Sequence, residues 1–367
     1  MNNYYFWNNY LKLLKKEIEK LCNEKDSLYI DLHIHSNYSS DGRQSIEEIL
    51  TTTRSKDFDI ISITDHDSLD VYDELYKILE NGFTRPLIIP GIEFTLDDKN
   101  YGSHCHFLQL FVNVKEKNIM ENVKTNSKAA FNRSKIQFKR LKHNLAISGI
   151  IKIHKINISY SDFIKYLSVN KMSPGYDSLA LYLIEKFKAK KVTTFDILDL
   201  LEKYNAYDCY EDRKEKNTIK YKQLRCKYKC ISENKFNADL LLSMLAVRDV
   251  DDDWWGQPAS GSLSVNSYGQ LKIKDLNDTF MTFFAHPTES SMEVVNNIIK
   301  ENSKILGLEL NARNKYYKIE SFYKVIDDNK LYKIIGSDSH DSKLAFYHNM
   351  NFYKIDSFEF AKMLKNK

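Results

Sequence analysis

Residues 30–35 read Ile-Asp-Leu-His-Ile-His, and the rest of the chain is interpreted outward from this stretch. Side chains alternate along a strand, so His33 and His35 share one face, about 7 Å apart at the backbone, while Leu32 and Ile34 take the other. Two neutral imidazoles converging at the end of a buried strand can grip one divalent ion, with nitrogen-to-metal distances of about 2.0–2.1 Å for zinc. A buried strand can also carry two histidines that only hydrogen-bond backbone, so the pair alone leaves both readings open.

The pattern recurs. The apolar run 60–63 ends in Thr64-Asp65-His66-Asp67, the run 87–89 leads through Pro90-Gly91-Ile92 to Glu93, and Ser103-His104-Cys105-His106 precedes the run 107–112. Further on, 281–285 ends in His286-Pro287, 307–310 in Asn311-Ala312-Arg313, and 334–336 in Ser337-Asp338-Ser339-His340. With the first, that makes seven short apolar runs, each with polar or ionisable residues at or near one end. Barrels of parallel strands build their active sites at the C-terminal strand ends, where residues distant in sequence meet in one cup. Seven independent accidents of core packing would be needed to explain the pattern otherwise.

The segments between the runs fit this architecture. Leu11, Leu14, Ile18 and Leu21 recur at helical spacing and predict a leading helix over 10–25, packed on the barrel or on a partner. Ser45 followed by Glu48 resembles a capping box and opens a helix through about Arg54; residues 68–79 behave likewise. This alternation of strand and helix predicts a parallel sheet. From 113 to 278 the alternation breaks, and the chain becomes lysine-rich and helical, with helices expected over 129–145, 179–188 and 193–204. The expected organisation is an N-terminal helical extension (1–27), a barrel in two parts (28–112 and 279–367), and a helical, basic insertion (113–278) between the fourth and fifth strands.

Charge sorts with this division. Residues 113–236 carry 27 Lys+Arg against 13 Asp+Glu, whereas the rest of the chain carries 27 against 37. A basic module beside an acidic cup suits capture of a polyanion, and a solvated lysine-rich face explains it equally well. The cluster Arg213-Lys214, Lys216, Lys220-Tyr221-Lys222, Arg225, Lys227-Tyr228-Lys229 interleaves aromatics with cations, as stacking on single-stranded nucleic acid requires. Residues 251–255, three aspartates and two tryptophans, form either a lid or an exposed loop. The five cysteines are odd in number and have no paired framework; Cys209, Cys226 and Cys230 lack a well-spaced fourth ligand, so free thiols in a reducing cytosol are expected. No secretory signal or bilayer-spanning run is recognisable in the 367 residues, which points to a cytoplasmic protein with no membrane partner.

Taken together, Asp-Leu-His33-Ile-His35-Ser, Ser-Asp41-Gly, Ile-Thr-Asp65-His66-Asp, Gly-Ile-Glu93, the later His-Phe-Leu, Ala-His286-Pro, Glu-Leu-Asn-Ala-Arg and Gly-Ser-Asp338-Ser-His340 resemble the PHP (polymerase and histidinol phosphatase) superfamily. The resemblance spans roughly 28–112 and 280–345. It implies a distorted seven-stranded (β/α)7 barrel and a two- or three-metal phosphoesterase site. The insertion resembles that of the branch acting on nucleoside bisphosphates and short RNA, although it is larger and diverges in detail. Carried over by position, the resemblance gives His33, His35, Glu93 and Asp338 to one metal. Glu93, a fourth-strand histidine and His286 hold a second, and Asp41, His66 and His340 a third. For the fourth strand His106 is preferred, because the apolar run follows it directly, and His104 faces substrate. Asp65 supports the site, and Glu93 can bridge ions about 3.5–4 Å apart.

Phosphate esters resist attack because their own oxygens repel nucleophiles. Clustered divalent ions neutralise that repulsion and lower the pKa of a bridging water, so the expected nucleophile is a metal-bridging hydroxide. Nitrogen and oxygen ligands admit manganese, zinc or iron, with manganese favoured for activity. Arg313, and more weakly Arg43, are candidate phosphate contacts, and His340 or His66 a candidate acid for the leaving oxygen. The substrate expected is a phosphorylated nucleotide or a single-stranded nucleic acid end. The alternatives are a small-molecule phosphatase of the histidinol-phosphate kind and a non-catalytic nucleic-acid or partner-binding subunit, the partner meeting the insertion or the N-terminal helix. A full set of costly buried polar side chains speaks against the last.

Overall fold

The protein is described by a computed structural model, which covers residues 3–82, 85–98, 103–147, 150–153, 155–189, 271–287, 292–311, 319–340 and 349–365. By internal contacts the chain divides into one unit of residues 1–128 and 269–367 and a second of residues 129–268. The division falls within helix α4 (Lys117–Ile147) and so lies inside the expected insertion. No helix among the described residues is long and apolar enough to cross a membrane.

Among the described residues, the first unit is built on nine strands. β1 (Ser27–Ile34) lies between β2 (Ile60–Ile63), which it pairs in parallel, and the short β9 (Lys354–Asp356), which runs antiparallel to it. With β3 (Leu87–Ile88) beyond β2, these form a four-stranded sheet in the order β3-β2-β1-β9. The second sheet runs β4-β5-β6-β7-β8: β4 (Gly91–Asp98), β5 (Ser103–Leu110), β6 (Met281–Phe284), β7 (Ile305–Asn311) and β8 (Tyr332–Gly336). β5 runs antiparallel to both of its neighbours, β4 and β6, whereas β6, β7 and β8 are parallel. Two isolated bridges, Ile34 with Ser339 and His66 with Glu93, join the sheets beyond the ends of β1 and β2.

The α/β fold is as expected, but the described strands form two mixed sheets and not one continuous ring of seven, and a reason can be located. Residues 87–93 look like one strand with Glu93 at its end, but Pro90 has no N–H to give to a ladder and divides it. The residues before Pro90 continue the parallel sheet, and those after it enter the β4–β5 hairpin, with Glu93 inside a strand opposite Leu108. The aromatic hydroxyl of Tyr72, on α3 (Val71–Leu79), secures this junction by donating to the Ile63 carbonyl at 2.6 Å and accepting from the Gly91 N–H at 2.7 Å.

The helices cover the sheets as their apolar spacing requires. α1 (Asn3–Glu24) starts earlier than its periodicity suggested, because Trp7 and Tyr10 join Leu14, Ile18 and Leu21 in the core. It thus packs on its own fold. α2 (Ile46–Ser55) opens with the expected capping box, Ser45 and Glu48 each satisfying the other's backbone N–H. α8 (Met292–Glu301), α9 (Ile319–Asn329) and α10 (Ser357–Lys365) complete the layer, with Val295, Ile298, Phe322, Phe360 and Met363 buried.

In the second unit the described residues are helical, as the sequence suggested. The last part of α4, α6 (Tyr160–Asn170) and α7 (Tyr176–Lys188), with the one-turn α5 (Ile150–Ile153), enclose Phe138, Phe163, Leu167, Tyr182 and Phe187. The expected helix over 193–204, the basic cluster 213–229, the distal cysteines and residues 251–255 lie outside the described residues.

Candidate metal centre

Strand alternation brings His33 into the space between the sheets, and His35 follows two residues later beyond the end of β1. The chain then turns. Ser36 donates its backbone N–H and its hydroxyl to the two oxygens of Asp65, each at 2.6 Å, which ties this loop to the end of β2. Asp41 reaches back over the loop and accepts from Ser39 Oγ at 2.7 Å. A side chain at Gly42 would place its Cβ 1.9 Å from the Ser36 carbonyl oxygen, so only glycine permits this return. His66 follows β2, Glu93 stands on β4, and His106 on β5 is opposite Thr95. His286 follows β6, and Asp338 and His340 follow β8. His286 and Asp338 hold left-handed backbone, at φ 27° and 51°, which costs free energy that the surroundings must offset.

Five of the histidines converge on Glu93. Its Oε2 lies 2.9 Å from His33 Nε2, 3.1 Å from His35 Nε2 and 3.2 Å from His66 Nδ1. Its Oε1 lies 3.1 Å from His106 Nδ1 and 3.0 Å from His286 Nε2. Asp338 Oδ1 extends the first group, 3.2 Å from His35 Nε2 and 3.3 Å from His340 Nε2. Asp41 Oδ2 gathers the outer side, 2.9 Å from His340 Nε2 and 3.3 Å from His66 Nε2. Four overlapping groups of ligand atoms result, each within 4.8 Å: His35/Asp41/His66/His340, His33/His35/Asp338, His33/Glu93/His286 and His66/Glu93/His106.

The electrostatics come from crowding five imidazoles around one carboxylate. Burial by itself pushes the His33 imidazole down, but Glu309 and Glu93 together raise it well above the usual histidine range. For His66, burial is likewise outweighed by Glu93 and Asp41, and the ring is raised to about 10. His106 competes for the same carboxylate; there burial wins and lowers it to about 4. Burial would raise Asp41, Glu93 and Asp338, yet the surrounding imidazoles hold all three below the ordinary carboxylate range. For Asp65, burial outweighs the Ser36 hydrogen bonds and the nearby His35, and pushes it up to about 6.

The donor set suits divalent cations. A carboxylate offers about four lone-pair directions, fewer than the five ring nitrogens here can share as hydrogen-bond donors. His33 Nε2 and His35 Nε2 lie only 3.0 Å apart in a fully buried space, where either one ring donates to the other or both lone pairs face a shared cation. Cys105 packs into the apolar core, so the ligands in these groups are nitrogen and oxygen, a set that accepts manganese, iron or zinc.

Of the residues singled out from sequence, His33, His35, Asp41, His66, Glu93, His106, His286, Asp338 and His340 thus share one cluster. Asp65 belongs to none of the four groups and instead holds the Ser36 loop. Arg43 is exposed, and its backbone N–H donates to the His340 carbonyl at 2.8 Å. His104 pairs with Asp97 near the tip of the hairpin, and its side chain, like all of Arg313, lies outside the described residues. Glu309, quoted within the Glu-Leu-Asn-Ala-Arg motif but read as part of the apolar run 307–310 and given no role, is a buried carboxylate at the cluster. Its signal was an acid at an interior strand position two residues after a glycine.

The fold and the cluster define an α/β protein that gathers histidines and carboxylates, from strand ends and strand interiors, into one buried ligand set. Residues 31–194 match the PHP domain family, which supports the resemblance to the PHP superfamily. Among solved structures, an amidohydrolase of Chromobacterium violaceum is similar in fold, at 14% identity and a TM-score of 0.50, over 90% of this chain and 98% of that one. A protein of Bifidobacterium adolescentis described as a metal-dependent phosphoesterase is also similar, at 16% identity and a TM-score of 0.48, over 85% of this chain and 88% of that one. No curated protein matches the sequence.

Proposed function

We propose that the protein is a metal-dependent phosphoesterase that hydrolyses a phosphate ester, with two or three divalent ions held around Glu93. The observation that carries this reading is the placement of five imidazole nitrogens within 3.2 Å of the two oxygens of that one buried carboxylate. In this reading His33, His35 and Asp338 serve the Oε2 side and His106 and His286 the Oε1 side. Asp41, His66 and His340 serve the outer position, and Asp65 keeps the Ser36 loop in place. Bound divalent ions would neutralise phosphate charge and lower the pKa of a water towards neutrality. The chain's part is to hold the ligands rigidly, to keep bulk water from the buried side, and to leave the Asp41/His340 side open to substrate. Arg43 stands at that side with its backbone fixed to His340, and is proposed to meet phosphate oxygens with its guanidinium; the same role is proposed for Arg313.

The substrate proposed is a nucleotide or a nucleic acid end. Support comes from charge: the excess of Lys and Arg over 113–236 sits in the same chain as an acidic barrel region. A manganese-supplemented screen of nucleoside bisphosphates, 5′-phosphorylated oligonucleotides and amino-alcohol phosphates tests both levels. Hydrolysis of the first two groups, abolished by His33→Ala, is the expected result. Hydrolysis of amino-alcohol phosphates alone would replace the nucleotide proposal with a small-molecule phosphatase. No hydrolysis by a metal-loaded protein would reject the enzyme.

A further inference from the structure

We infer that Glu309 is a positioning residue for this centre, one carboxylate that fixes a ligand on each side of Glu93. The inference rests on the metal-dependent reading above and adds to it a residue outside the proposed ligand set. Glu309 lies on β7 and is buried. Its Oε1 is 2.9 Å from His33 Nδ1, and its Oε2 accepts the backbone N–H of His286 at 2.6 Å. With Oε2 accepting the His286 N–H and Oε1 facing Nδ1, the carboxylate is placed as acceptor to both, which puts the His33 proton on Nδ1. Nε2, which faces Glu93 Oε2, His35 and Asp338, then presents the lone pair that a metal requires.

The second contact acts through backbone. His286 holds a left-handed conformation at φ 27°, and the hydrogen bond from its N–H to Glu309 supports it there. From that position the ring places Nε2 3.0 Å from Glu93 Oε1. Neighbouring sequence makes room for the carboxylate: a Cβ at Gly336 on β8 would lie 2.2 Å from Glu309 Oε1 and 2.5 Å from His33 Cβ. β1, β6 and β8 thus all present something shaped to Glu309. An apolar residue would fill the same interior position without the desolvation cost of a buried charge, so the acid answers to the two ligands it touches.

The test uses the full chain, stripped of metal and titrated with Mn²⁺ or Zn²⁺ by calorimetry, alongside thermal unfolding of the metal-free protein. Glu309→Gln keeps the shape but leaves one acceptor oxygen for two donors. It is expected to weaken binding of at least one ion about 10–100-fold, and Glu309→Asp, which keeps both acceptors, to recover part of the loss. Unchanged affinity and stoichiometry in Glu309→Gln, with only a lowered unfolding midpoint, would overturn the inference and leave a structural role. Should the variants not fold, the zinc-loaded wild type labelled with ¹⁵N-histidine decides the matter, the His33 signals being identified by their loss in His33→Gln. A proton on Nδ1 is expected, and a proton on Nε2 would overturn the proposal. Failure of the wild type to bind either ion would contradict the phosphoesterase reading itself, a result distinct from intact binding that Glu309→Gln leaves unaltered.

Discussion

At the scale of single residues, Glu93 sets the terms for every other group in the cluster. Two oxygens serving two sets of imidazoles would let Glu93 contribute to more than one ion in the proposed centre. Replacing it by glutamine leaves one acceptor and no charge. Glu93→Gln is therefore expected to lose at least one equivalent of metal by elemental analysis and to lower phosphoester hydrolysis at least about 100-fold, beyond the range typical of outer-shell partners; retained metal and activity would remove Glu93 from the centre. The residues proposed as ligands were legible in sequence because histidine and carboxylate at strand ends are costly unless used. Glu309 was not, because an acid inside a run of leucines is averaged away when the run is read as apolar. Its meaning depends on His33 and the His286 backbone, which only the fold brings to it.

At the scale of elements, the β2–β4 junction positions Glu93. Gly91 begins β4 where a Cβ would come within 2.6 Å of Ser62 Oγ, 2.8 Å of Leu110 Cδ2 and 2.9 Å of Thr64 Cγ2. Gly91→Ala is expected to destabilise the metal-free protein by about 1–3 kcal/mol through overpacking and to weaken metal binding by displacing Glu93 two residues on. Denaturant unfolding and a metal titration check both effects, and an alanine variant matching wild type in each would show that the junction yields freely. Sequence periodicity located the strands of this region but not their directions, since alternation is the same for parallel and antiparallel pairing. Pro90 was the available signal, a residue that cannot continue a ladder. β9 went unseen because three residues carry no readable period, and α1 was read short because its first turns are polar and aromatic.

At the scale of the whole molecule, charge couples the centre to solvent conditions. Without metal, the pKa values of His33, His35 and His66 are raised, so protons compete with an incoming ion for these rings. Their contribution to metal-free stability is complete below the unfolded histidine pKa of about 6.5 and fades as pH rises through the raised folded values. Asp41, Glu93 and Asp338 are depressed, so theirs is present above about pH 4 and is lost on acidification. Metal uptake is accordingly expected to release protons and to strengthen as pH rises; calorimetry in buffers of different ionisation enthalpy measures this, and uptake without proton release would contradict it. The basic insertion makes a separate prediction: charge reversal at Arg225, Lys227 and Lys229 should lower oligonucleotide affinity and flatten its dependence on salt, and an unchanged slope would dismiss that module as a nucleic-acid surface. The most direct test of the account is anomalous diffraction from crystals of the full chain grown with manganese or zinc. Peaks within bonding distance of both Glu93 oxygens, ringed by His33, His35, His106, His286 and Asp338, are the expected result. A metal-soaked crystal with no peak beside Glu93 would contradict it.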